Sequence, residues 1–77
     1  MTQINAIVTT YSDIIYSGKV DGFPMWEGEQ YLALKVSSVS NMQVLFPLIE
    51  INTLIFKNGK CLTGSQLQEI IIEKGEL

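Results

Sequence analysis

Glu27 and Glu29 stand two residues apart, so on an extended segment both carboxylates face the same way. Such a pair could divide general acid and general base work. Nothing near them in sequence would desolvate or tune either group, so solvated loop charge is the plainer reading. With Asp21 they would offer oxygen ligands to magnesium or calcium, but their spacing matches no recognised loop. The chain has no histidine, no arginine and a single cysteine, Cys61. The usual bases, oxyanion partners and zinc ligands are therefore missing. No glycine loop that would cradle a phosphate is present. Cys61 sits between Lys60 and Leu62 and reads as a small core residue, with only Lys60 to activate its thiol. These residues point to a protein that works without catalysis, cofactor or metal.

Binding is the chemistry that remains. Phe23, Met25 and the only Trp, Trp26, gather around Pro24. Trp and Met are enriched at interfaces, and a Trp can also stack on a base. Tyr31 follows closely as a second stacking candidate. The alternative is that Phe23 and Trp26 plug the end of the core. Lys57 and Lys60 flank an Asn58-Gly59 pair and form the only local positive spot. They would serve either a phosphate or the guarding of a strand end. The other lysines are spread along the chain, and the net charge is -3. The absence of arginine weakens a nucleic-acid reading, because arginine is the usual bidentate reader of phosphate and guanine.

The elements that must position these residues read as short strands between turns. Gln3 to Thr10 is one strand, with Ile4, Ala6 and Val8 on one face, and Tyr11 to Asp13 is a turn. Ile14 to Phe23 is a second strand, with Gly18 and Gly22 at bends. Phe23 to Glu29 reads as a loop. Tyr31 to Ser38 alternates with Leu32, Leu34 and Val36 on one face. Ser40-Asn41 is a turn signal, and Met42 to Phe46 is a short strand ended by Pro47. Ile49 to Lys57 alternates with apolar residues on both faces, as for a strand buried twice or at a subunit interface. Asn58-Gly59 predicts a type I′ hairpin, returning through Lys60 to Thr63. The tail from Gln66 to Lys74 carries two signals. As a helix it would have Ser65 as N-cap, Gln68 completing a capping box and Gly75 beyond its end, with Leu67, Ile70 and Ile71 aligned and Ile72 off the stripe. As a strand it would use three consecutive isoleucines, which favour a pleated surface.

The 77 residues make one domain, and 47% of them are hydrophobic. A chain this small cannot bury that much apolar surface alone, which argues for a homo-oligomer. No positive segment followed by an apolar stretch marks a signal peptide, and no apolar run approaches the ~20 residues of a membrane-spanning helix. The unpaired cysteine fits a reducing, cytoplasmic setting.

Leu62-Thr63-Gly64-Ser65-Gln66-Leu67-Gln68-Glu69-Ile70 resembles the second motif of Sm-like proteins: apolar, Arg, Gly, two variable, apolar, two variable, apolar. Ile15 to Phe23 resembles the first motif, where a glycine sits at a strong strand bend, and Tyr31-Leu32-Ala33-Leu34 could match the strand that follows. The resemblance touches about half the chain. It implies an all-β fold: a small, strongly bent barrel of five to six strands of the Sm or SH3-like kind, able to form rings. It favours a strand over a helix for the tail, with Gly64 at a corner. The chain departs from the family at its RNA pocket. Thr63 stands where the motif has arginine, and Pro24 to Glu29 replaces a loop expected to hold Asp and Asn.

Three functions follow as expectations. One is a homo-oligomeric Sm-like barrel that binds RNA or a small nucleotide, with Trp26 or Tyr31 stacking and Lys57 or Lys60 near phosphate. Another is an acidic inhibitor or adaptor, of the viral accessory type, that docks on a protein. The last is a small subunit of a larger assembly.

Overall fold

The structure, a computed structural model, describes residues 4–36 and 42–75. They form seven antiparallel strands and one helix: β1 Ile4–Thr10, β2 Ile15–Gly22, β3 Met25–Trp26, β4 Glu29–Lys35, β5 Gln43–Pro47, β6 Ile51–Phe56, β7 Cys61–Thr63 and α1 Gly64–Lys74. A 3-10 turn, Leu48–Glu50, joins β5 to β6. The long strands meander in the order β5, β4, β2, β1, and β6 then returns to pair with β1. β3 continues the edge of β4 that β2 occupies, pairing Met25 with Gln30 and Trp26 with Glu29. Among the described residues β5 pairs only with β4 and β7 only with β6, so the sheet is open.

Alternation sets the inner face. Ala6 and Val8, Val20, Leu32 and Leu34, and Leu54 and Phe56 all point inward and are buried. In β6 the alternation is broken once. Thr9 pairs with Thr53 but Thr10 with Ile51, so Asn52 is an extra residue and both Ile51 and Leu54 reach the core. This corrects the expected alternation from Ile49 to Lys57: Ile49 and Glu50 belong to the 3-10 turn, and Ile51 shares the core with Leu54 rather than the face of Ile55. The expected turn at Ser40-Asn41 and the end of the Tyr31 to Ser38 strand lie outside the described residues.

Three short connections carry positive backbone angles, as do Gly22 at the end of β2 and Gly75. Between β6 and β7, the amide of Gly59 donates to the Phe56 carbonyl at 2.9 Å, and the amide of Phe56 donates to Lys60 at 2.8 Å. Gly59 has φ 94°, while Asn58 is not in the positive region. The expected hairpin is present, but as a three-residue loop closed by a left-handed glycine rather than type I′. The β1–β2 connection repeats that form, with Asp13 at φ 61° and the amide of Asp13 donating to Thr10. The type I′ geometry occurs instead at Glu27-Gly28, where φ is 50° and 81° and only two residues join β3 to β4. The segment expected as a loop, Phe23 to Glu29, thus contains a strand and half a hairpin.

The tail is a helix, which corrects the strand expected from the family resemblance. Local capping decides it. The Thr63 hydroxyl accepts from the amide of Gln66 at 3.2 Å, and the Gln66 side chain accepts from the amide of Thr63 at 3.0 Å. This is a capping box two residues earlier than Ser65 and Gln68 would give. Gly75 closes the helix in the left-handed region, its amide donating to Ile71 at 2.8 Å. Leu67 and Ile71 enter the core while Ile72 stays outside, the stripe expected of the helical alternative. Removing the cap by Thr63→Ala is expected to cost about 1 kcal/mol, measured as a lowered urea midpoint. An unchanged midpoint would mean the helix is held by packing alone. No helix among the described residues is long and apolar enough to cross a membrane.

Candidate binding surfaces

The Phe23 to Trp26 segment divides between core and surface. Phe23 is partly buried and packs against the core cluster. Its carbonyl accepts from the Gln30 side-chain amide, and the Pro24 carbonyl accepts from the amide of Tyr31 at 2.8 Å. These bonds tie the base of the β3–β4 hairpin to the sheet. Met25 and Trp26, further out, are 65% and 64% exposed. The Trp26 ring lies 6.5 Å from that of Tyr31, tilted by 48°. Phe23 thus packs on the core, whereas Trp26 stands on the surface.

Met25 lines a groove of about 320 Å³ with Gly28, Glu29, Gln30, Pro47, Leu48, Ile49, Gln68 and Ile72. Three elements distant in sequence build it: the β3–β4 hairpin, the 3-10 turn and α1. Ile49 is 67% exposed and Ile72 81%. Neither was singled out from sequence. The signal for Ile72 lay in its place off the helical stripe, and the signal for Ile49 lay in the Pro47 that starts the 3-10 turn.

One carboxylate, Glu29, lines this groove. The Tyr31 hydroxyl donates to Glu29 at 3.0 Å. That hydrogen bond is the largest cause raising the Tyr31 phenol above its ordinary value, and the charges of Glu29, Glu27 and Glu50 push the same way. One carboxylate bonds this phenol and the charges of two others act on it. Glu69 stands three residues before Ile72, on the same side of α1. Glu27, Glu29 and Asp21 do not come together as a metal site: Glu29 meets Tyr31, whereas Asp21 accepts from the Gln43 side chain. No group of three or more potential ligands forms among the described residues.

Lys57 and Lys60 sit at the other end of the strands, on the β6–β7 connection. Lys35, aligned with that end, is four residues along β4 from Tyr31, or about 13 Å. The structure does not bring the two lysines to Trp26 and Tyr31. It brings them instead to lysines that looked scattered. Lys19 pairs directly with Lys35, Asn5 pairs with Lys19, and the amide of Lys57 donates to the Asn5 carbonyl at 3.0 Å. A cross-strand row of Lys57, Asn5, Lys19 and Lys35 results on the outer face. Beside it lies a depression of about 460 Å³ lined by Asn5, Ile7, Ser17, Val36, Ile55 and Lys57, among others.

Cys61 corrects another expectation. It is exposed, because Leu62 takes the inward position of β7 and Cys61 pairs with Ile55 on the outer face. Compared with protein-family models, curated proteins and solved structures, the chain matches none of them.

Proposed function

We propose that this protein is a non-enzymatic binding module whose working surface is the groove between the β3–β4 hairpin, the 3-10 turn and α1. The observation that carries it is the convergence of exposed Met25, Ile49 and Ile72 on one concavity, with Trp26 next to Met25 on the hairpin but outside the lining. Isolated exposed apolar residues are ordinary, but a grouped set with a polar rim marks an interaction site. Glu29 lines the groove, and the charges of Glu27 and Glu50 act on the neighbouring Tyr31. A fitting occupant is a protein segment with apolar anchors flanked by Lys or Arg, for which these carboxylates give orientation and the apolar floor gives affinity. This reading is the acidic adaptor alternative.

The barrel reading rests on strand order. A meander whose later strand returns to the first wraps one sheet around a single core, as a small bent barrel of the Sm or SH3-like kind would. Outer-face Ile7, Ile15 and Ile55 are further exposed apolar residues, and they favour association with a second copy. An exposed free thiol at Cys61 suits a reducing, cytoplasmic setting.

Trp26 is the only tryptophan, so its fluorescence reports on the groove. A panel of basic amphipathic peptides is expected to shift its emission saturably. Met25→Asp and Ile72→Asp should each weaken binding about tenfold or more, as for hot-spot positions, while leaving the unfolding midpoint near wild type. The groove reading fails if no peptide changes Trp26 emission up to about 1 mM, the weak limit of specific recognition. It fails equally if acidic versions of the same peptides bind as well as basic ones.

A further inference from the structure

Lys19 and Lys35 face each other across the β2–β4 pair, on the outer face. Like charges directly opposite destabilise a sheet. In an acidic protein with five lysines, chance placement would seldom put three of them in one row. Lys57, just past the end of β6, continues the row that Asn5, Lys19 and Lys35 form on β1, β2 and β4, so the row spans about 14 Å at the backbone. Lys60 stands beyond Lys57 on the same connection. Four of the five lysines therefore lie at one end of the strands, opposite the groove.

We propose that this row is a binding site for a linear chain of phosphate groups. The array is elongated, which suits a chain better than one compact oxyanion. The ammonium groups act as point charges for phosphate, and Asn5 and Ser17 add neutral hydrogen-bonding groups beside Lys57. From the end of β6 the row crosses β1, β2 and β4, each paired on both sides, so these strands offer no free backbone edge to a peptide strand. Recognition at the row is by charge. Asp21, held by the Gln43 side chain beside Lys35, offsets part of the repulsion between Lys19 and Lys35, and a bound polyanion would relieve what remains. The site is separate from the groove and does not depend on the groove's role.

The test uses the full chain at low salt with tripolyphosphate and with a ten-nucleotide oligouridylate. Both are expected to raise the melting temperature. For the oligonucleotide, about three phosphate contacts give a slope of log affinity against log salt near -2. Lys19→Gln/Lys35→Gln should lower affinity about tenfold or more and reduce the slope to about -0.7. Without ligand, the same variant should melt about 1–5 °C higher than wild type, because the opposed charges are gone. Lys74→Gln, on α1, should change neither. Equal response to both ligands assigns the phosphate chain to a small molecule, and response to the oligonucleotide alone assigns it to a nucleic acid. The proposal is overturned if neither ligand raises the melting temperature, or if the double variant binds as wild type. It is also overturned if that variant is less stable without ligand, or if polyglutamate of matched length binds more tightly than both phosphate ligands.

Discussion

Gly64→Ala is expected to lower stability by about 3 kcal/mol, the upper end of what overpacking costs. A Cβ built at Gly64 would lie 2.0 Å from the Ile51 carbonyl oxygen and 3.1 Å from its carbon. The clash is with backbone at the start of β6, so no rotamer change relieves it. Either α1 lifts away from β6 or Ile51 leaves the core, and Ile51, Leu67 and Ile71 are all buried there. A domain of this size has a total stability of roughly 4–12 kcal/mol, so the change removes a large share. The measurement is the urea midpoint followed by circular dichroism. Ser65→Ala, one residue on and exposed, is the control and should leave the midpoint unchanged or slightly raised. An unchanged midpoint in Gly64→Ala would show that α1 does not sit rigidly on Ile51. The same displacement would move Ile72 away from Met25 and widen the groove, so Trp26 should lose its response to basic peptides.

What the sequence made legible was mostly local. Alternation in β1 and β4 named the buried residues, because each strand has one face toward a single core. Gly18 and Gly22 marked where β2 comes close to β4 and where its register shifts, and Asn58-Gly59 marked a hairpin. The misses share a physical cause, which is that competing local signals differ by less than tertiary contacts supply. The three isoleucines of the tail favour a strand, yet the Thr63 and Gln66 capping box and the Leu67–Ile71 stripe turn it into a helix. The bulge at Asn52 cannot be seen in β6 alone, since it exists only relative to β1. The candidate sites were half legible for a related reason. Met25 and Trp26 stood out by type and crowding. Ile49, Ile72 and the Lys19–Lys35 opposition arise from register and from the return of β6 and α1, which sequence proximity does not encode.

Gly18→Ala is the companion prediction, because Gly18 fixes that register at the lysine row. A Cβ there would lie 2.4 Å from the Lys35 carbonyl oxygen, 3.0 Å from its carbon and 3.2 Å from Leu34 Cγ. β2 can lie this close to β4 only because position 18 has no side chain. With alanine, the strands must part where Lys19 meets Lys35, because the closest contact is with backbone, and Leu34 must give slightly in its fully buried site. The change is expected to cost about 2–3 kcal/mol, seen as a lower urea midpoint, whereas exposed Ser17→Ala on the same strand should be near neutral. As the strands part the lysines diverge, so the rise in melting temperature induced by tripolyphosphate should shrink along with the stability. A wild-type midpoint would show that the approach of β2 to β4 is not constrained at Gly18, and the bend would then have to be attributed to Gly22 and the irregularity between Val20 and Gly22.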